Sequence, residues 1–356
     1  MGTIRLLLAL AVVFGHAPGW QQIQPNAADP LRPMTPYFAV QAFFIISGFY
    51  MEMVRGRYDC AGLWVFWSNR YSRLIASYLV VVLITVLLAL AFPERAPTFQ
   101  TYTPDGTIER LFLGLANLSI FGTDLIAFLG LKPLAGLILP QSRSLGIELW
   151  FYSLVPLFWR MPTRYIFAII SISSALRIGI ATSSLPAFPW QQRFFPLELA
   201  FFLVGMLSYR HRKRLCGALP PVVPLSILTF GILFSGYIIT STSMAFSAPM
   251  AFLFFLFLPS AWEMTRSHNF DRMIGELSYP VYLVHITVGY FVLPSQSMWG
   301  GGMLILLSIA AAIPLYAFVD RPLDAWRERR RSANVRALRD HRQKDPKSEP
   351  LSRAPL

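Results

Sequence analysis

Apolar runs of membrane-spanning length recur in this sequence from residue 4 to residue 319, more than a water-soluble fold of this size can bury. Bounded by charges and Pro/Gly clusters, ten segments lie near 4–20, 36–54, 74–93, 144–160, 165–181, 196–209, 220–240, 245–262, 276–293 and 300–319. Only a helix or a closed barrel satisfies its own backbone in lipid, and about 20 residues of helix cross a ~30 Å hydrocarbon core. Hydrophobic residues make up 55% of the chain and charged ones 14%, with a mean hydropathy of +0.50. The expected fold is therefore all-α, a polytopic membrane protein of about ten transmembrane helices.

The cations orient these segments. With the N-terminus inside, 13 Lys and Arg fall in cytoplasmic segments up to Arg272 and 11 more in the tail, against seven on the opposite side. Both termini are expected in the cytoplasm. The stretch Leu111 to Pro140 is broken by Asn117, Asp124, Lys132 and Pro133 and reads as partly embedded or re-entrant. A full span there would put the RHRKR cluster at 210–214 outside. A net charge of +13 would suit nucleic acid, but its distribution between apolar segments points to membrane topology and to no nucleic-acid partner. Cys60 and Cys216 lie in basic loops and build neither a disulfide scaffold nor a metal site. The first segment reads as an uncleaved anchor, with no A-x-A-like site before the Pro-rich loop. The basic tail, 324–356, reads as a disordered cytoplasmic extension on anionic lipid.

Polar residues inside apolar segments are costly unless they face protein, so they mark candidate chemistry. In the first segment these are Arg5 and His16, about 16 Å apart along a helix, which puts His16 near mid-depth. Neutral imidazole is the form a general base needs; a histidine bonded between helices is the plainer reading. Ser47-Gly48 allows a backbone or a slender ligand to come close. Arg70 and Arg73, one turn apart at the expected start of the third span, suit a phosphate or simply anchor the helix. Glu148 either pairs with Arg143 or Arg177, orients His16, or holds a substrate hydroxyl; Glu198 poses the same question. His285 is a second intramembrane imidazole. No H-x-x-x-H or E-x-x-H spacing supports a metal. Asp320 is expected to pair with an arginine, and Pro322 to stop the last helix.

In order and spacing these stretches resemble the acyltransferase-3 family of bacterial membrane acyltransferases. The arginine, ten residues and histidine of that family's first helix are matched by Arg5 and His16. Its F-F-x-x-S-G-F element is Phe43, Phe44, Ser47, Gly48 and Phe49, and its arginine pair is Arg70 and Arg73. Its S-L-x-x-E-x-x-F-Y element is Ser144, Leu145, Glu148, Phe151 and Tyr152, and F-F-L-x-G is Phe201 to Gly205. Its S-Y-x-x-Y-L-x-H element is Ser278, Tyr279, Tyr282, Leu283 and His285, and its closing acid-x-P is Asp320 and Pro322. The match runs from residue 4 to about 323, and residues 1–323 are expected to form the domain. An aspartate that the family often carries two or three residues before the arginine is replaced by Thr3 and Gly2.

The resemblance implies transfer of an acyl group, usually acetyl, from cytoplasmic acyl-CoA to a carbohydrate or glycolipid hydroxyl, in a bacterial inner membrane. It implies no tightly bound cofactor, acyl-CoA as co-substrate, and polysaccharide-synthesis proteins as partners. His16, Glu148 and His285 would be catalytic, and Arg5, Ser47, Gly48, Arg70 and Arg73 would bind the donor. Two other readings explain the buried charges alone: a transporter or exporter of a small solute or acylated glycan, and a non-catalytic escort for a polysaccharide synthase.

Overall fold

A computed structural model of the chain describes residues 1–17, 34–58, 62–95, 106–131, 136–192, 194–216, 220, 222–238, 247–292 and 300–343. Helices dominate the described residues. In order they are α1 (Gly2–Gly15), α2 (Pro36–Met53), α3 (Leu63–Ala91), α4 (Thr107–Ser119), α5 (Ser142–Arg160), α6 (Thr163–Ala181), α7 (Phe195–Arg210), α8 (Val222–Ile238), α9 (Ser247–Thr265), α10 (Asn269–Phe291), α11 (Gly300–Leu315) and α12 (Arg321–Gln343). The ten apolar segments fall on α1 to α3 and α5 to α11. Four stretches of described residues are long and apolar enough to cross a membrane: Leu63–Ala91, Thr163–Ala181, Ser247–Thr265 and the run Gly301–Ala333. Gly2–Gly15 and Val222–Leu233 are apolar but shorter.

Several boundaries differ from those expected. α1 ends at Gly15; its last turn tightens, with the N–H groups of His16 and Ala17 bonding the carbonyls of Val13 and Phe14 at 3.1 Å. The expected end at Trp20 lies outside the described residues, as do Cys60 and the tail after Gln343. α3 begins at Leu63, so Arg70 and Arg73 sit about 10 Å and about 15 Å inside the helix and not at its start.

Pro322 does not stop the last helix. A five-residue π-helical segment, Tyr316–Asp320, joins α11 to α12, and Pro322 occupies the second position of α12, where a missing N–H is tolerated. The described part of the tail is helical where its charge suggested disorder. Ala, Arg and Glu favour helix there, and i,i+3 pairs Asp324–Arg327 and Glu328–Arg331 reinforce it.

Of the interrupted stretch 111–140, residues up to 119 belong to α4, which is too short to span alone, and turns follow over 121–130. Asn117 binds the returning chain, its Nδ2 donating to the Gly136 carbonyl and its Oδ1 accepting from the Ile138 N–H, both at 2.9 Å.

Two close helix contacts set the bundle. A β-carbon on Gly48 would lie 1.8 Å from the carbonyl oxygen of Phe202, and one on Gly205 would lie 1.8 Å from that of Ile45. Only glycine at both positions lets α2 and α7 meet backbone to backbone. At the other contact, between α1 and α10, a β-carbon on Gly275 would sit 2.5 Å from the Cα of Gly2.

Asp271 caps α1 from α10. Its carboxylate accepts from the Gly2 N–H at 2.7 Å, the Thr3 N–H at 2.8 Å, the Thr3 hydroxyl at 2.8 Å and the terminal ammonium at 2.6 Å. Burial acts to raise this carboxyl, but those donors outweigh it and hold it at about 2. A carboxylate thus stands against the two residues where α1 lacks the acid that the resemblance leads one to expect.

Two buried ion pairs tie further helices. Glu52 of α2 pairs with Arg210 of α7 at 2.9 Å, and that guanidinium also donates to the Met161 and Phe158 carbonyls at the end of α5. Arg177 of α6 pairs with Glu198 of α7 at 3.3 Å and donates to the Tyr37 hydroxyl at 2.8 Å. Removing either partner would leave a buried charge unmet, which costs several kcal/mol, on the order of 3–5.

Candidate active site

α1, α2, α3, α5 and α10 converge on a cavity of about 740 Å³, open mouth included. Arg5 of α1 and Arg73 of α3 line it, with Ser47 of α2, Glu148 and Tyr152 of α5 and Tyr282 of α10. Helical spacing explains the convergence. Ser144, Glu148 and Tyr152 stand at i, i+4 and i+8, and Ser278 and Tyr282 at i and i+4, so each set looks into the cavity from one face.

Glu148 accepts two hydrogen bonds on one oxygen. The Ser47 hydroxyl donates to Oε1 from 2.7 Å, and the Tyr152 hydroxyl, one turn along the same helix, donates to the same atom. Arg5 and Arg73 both lie within electrostatic reach of this carboxylate. Its second oxygen remains an acceptor able to hold a polar group of a substrate.

Tyr282 links the cavity to the histidines. Its hydroxyl meets the Ser144 hydroxyl at 2.5 Å and donates to the Gln141 carbonyl at 3.0 Å, while Gln141 Nε2 donates to the Leu283 carbonyl at 2.7 Å. These bonds fasten the start of α5 to the middle of α10. One turn on, His285 Nδ1 lies 2.7 Å from the Tyr282 carbonyl. The ring of His16 faces that of His285, centroids 5.2 Å apart and planes inclined at 56°.

Both imidazoles have a defined tautomer. His16 Nδ1 lies 2.8 Å from the carbonyl oxygen of Val12, one turn back on its own helix. A carbonyl only accepts, so Nδ1 of each ring carries a proton, and in the neutral ring Nε2 holds the lone pair. The two rings differ in access: His285 is fully buried, at 0% exposure, and its Nε2 has no partner, whereas His16 is exposed. His16 is thus the more exposed imidazole of the two, and it caps the end of α1 where a buried mid-helix position was expected.

The cavity thus gathers Arg5, Ser47, Arg73 and Glu148, and His16 and His285 form an adjoining pair outside its lining. Gly48 takes another role, since its missing side chain admits the α7 backbone. Arg70 does not line the cavity; it lies over the Phe66 ring at 5.9 Å. Arg177, a considered partner for Glu148, pairs with Glu198. Asp320 accepts from the Ser77 hydroxyl, with Arg73 in electrostatic reach. The resemblance matches Tyr152, Ser144 and Tyr282 to its motifs, but sequence reasoning gave none of them a role at the site. A tyrosine four residues after an intramembrane glutamate is the signal that would have found the first.

A family model described as an acyltransferase domain matches residues 2–318. No curated protein and no solved structure matches the chain.

Proposed function

The chain belongs to the acyltransferase-3 family, whose domain covers residues 2–318 and marks it as a membrane acyltransferase, and on that premise we propose that it moves an acetyl group from cytoplasmic acetyl-CoA to a hydroxyl of a cell-envelope or exported carbohydrate. Its setting is a bacterial inner membrane, crossed about ten times, with both termini in the cytoplasm. One observation carries the reading: a cavity with two guanidiniums and a hydrogen-bonded carboxylate adjoins an accessible imidazole held in the Nδ1–H tautomer.

Arg5 and Arg73 supply charge for the phosphates of coenzyme A, and the thin pantetheine arm runs along the cavity past Ser47. The rise from residue 5 to residue 16, about 16 Å, is comparable to the reach of that arm. At its end the acceptor hydroxyl gives its proton to His16 Nε2 as its oxygen attacks the thioester carbonyl. The C–S bond breaks, and the coenzyme A thiolate leaves as the free thiol by taking from His16 the proton that the hydroxyl gave up. In the variant route His16 Nε2 attacks the thioester carbonyl and the C–S bond breaks to release the coenzyme A thiolate. The acceptor oxygen then attacks the acyl group, the N–acyl bond to His16 breaks, and the hydroxyl proton passes to the thiolate or to water. Glu148, fixed by Ser47 and Tyr152, holds a polar group of the substrate.

The test is to express the wild type and His16→Ala in a strain lacking this gene, supply membranes with labelled acetyl-CoA, and count label in envelope glycan. Label from the wild type and none from the variant, with both proteins inserted, supports the assignment. Equal labelling overturns the role of His16. No label from an inserted wild type overturns the donor or the acceptor.

A further inference from the structure

Beyond the residues that the acyltransferase domain matches, α12 returns to the bundle and lays one arginine against α3. Arg327 Nη1 donates to the Asn69 carbonyl at 3.2 Å, and Asn69 is the residue before Arg70. The Arg327 guanidinium therefore rests on the turn of α3 that carries Arg70, one turn from Arg73. The Arg327 side chain is 15% exposed. It lies within electrostatic reach of Arg73 and Arg70, and Arg73 lies within reach of Arg5 in the cavity.

We infer that Arg327 joins Arg70 and Arg73 in a phosphate-binding site at the cytoplasmic mouth of the cavity, so that the C-terminal helix is part of substrate recognition. The inference rests on the reading of the donor as a coenzyme A thioester. Three observations support it.

Like charges gathered in a partly buried place repel one another unless an anion sits among them. Carboxylates balance part of this charge, Asp324 paired with Arg327 and Asp320 and Glu148 within reach of Arg73, but none of them accepts from the Nε–H of Arg70 or of Arg327. Second, the Nε–H groups of Arg70 and Arg327 are both buried without an acceptor. Two unmet guanidinium donors within electrostatic reach of each other are what a phosphate, with its several acceptor oxygens, would satisfy. Third, α12 follows directly on the π-helical Tyr316–Asp320, and within this strongly basic helix Arg327 is the residue whose guanidinium donates to an α3 carbonyl.

The phosphates belong either to coenzyme A or to an anionic lipid headgroup. The experiment separates them using the full chain in nanodiscs of phosphatidylcholine, alone or with phosphatidylglycerol. Binding of coenzyme A and of phosphate-free pantetheine is measured for the wild type, Arg327→Gln and Arg327→Lys, with thermal stability in both lipids. For a coenzyme A site, Arg327→Gln weakens coenzyme A binding about tenfold, about 1.4 kcal/mol. Arg327→Lys, which keeps the charge, loses less, and pantetheine binds all three alike. For a lipid site, coenzyme A binding is unchanged and Arg327→Gln loses the extra stability that phosphatidylglycerol confers on the wild type. Unchanged coenzyme A binding together with unchanged lipid response overturns the inference. Equal weakening of coenzyme A and pantetheine also overturns it, since that is the mark of a damaged fold. A wild type that binds no coenzyme A in either lipid defeats the donor reading instead, and the lipid response still decides the role of Arg327.

Discussion

His16 and His285 come from helices at opposite ends of the sequence and meet ring to ring, 5.2 Å between centroids. Each is pinned through Nδ1 to a backbone carbonyl, and of the two residues His16 is exposed and His285 buried. A proton arriving on His16 Nε2 creates a cation beside the second imidazole. On the role proposed for His16, His285 would hold that ring in place without touching the donor.

His285→Ala is therefore expected to lower kcat by about ten- to a hundredfold, the lower part of the range for acid–base assistance, and to leave the KM for acyl-CoA unchanged. Steady-state kinetics on reconstituted protein checks this. A matched rise in KM would make His285 a packing residue whose loss distorts the cavity.

The motif histidines and arginines were legible because a polar residue in an apolar run is conspicuous and costly. What each of them touches was not. Ser47 and Gly48 are neighbours in sequence, yet successive helical residues lie about 100° apart, so Ser47 faces the cavity while Gly48 faces α7. The reciprocal need for Gly205 could not be read from either segment alone. The helical tail was hidden because its charge resembles that of a disordered segment, and its order comes from continuity with α11 and from Arg327 docking on α3. The ten apolar segments carried most of the fold, since length and composition decide helix placement in lipid without tertiary detail.

Ser47 and Tyr152 donate to the same oxygen of Glu148, so their contributions are coupled. Ser47→Ala and Tyr152→Phe are each expected to cost about 1–3 kcal/mol as a bond to a charged acceptor is lost. The double variant should depart from the sum of the singles by at least about 0.5 kcal/mol. Thermal unfolding of the four proteins in one detergent measures it. Strict additivity would mean that the two hydroxyls act on Glu148 independently.

The carboxyl of Asp271, held at about 2, lies below its ordinary value of ~3.9. A carboxyl depressed by folding contributes stability that is fully present above the unfolded value and disappears as pH falls through the folded one. Asp271→Asn should therefore be less stable than the wild type at neutral pH. The gap between them should close as pH falls from about 5 toward about 2, because the wild type then carries a protonated Asp271. Paired melting curves across that range test it, and a constant gap would assign the effect of Asp271 to packing alone.

Arg73 and Arg70 are one turn apart on α3, but only Arg73 lines the cavity, and it shares that cavity with Arg5. If the two cavity guanidiniums bind the donor equally in ground and transition states, their loss raises KM and spares kcat. Arg73→Gln and Arg5→Gln are thus expected to raise the KM for acyl-CoA about tenfold or more, the equivalent of one charge-assisted hydrogen bond. Arg70→Gln, which acts from outside the cavity, should raise it less. Arg73 also balances Glu148 and Asp320, so a lysine at this position should recover much of the affinity by restoring the charge, though not the planar fork that grips a phosphate through two donors. Kinetics with acyl-CoA and with an acyl-pantetheine lacking phosphates separates the two roles. A KM that rises only for the phosphorylated donor identifies the guanidinium as a phosphate ligand. A rise of equal size for both donors would show that Arg73 holds the helices of the cavity in place and binds no phosphate.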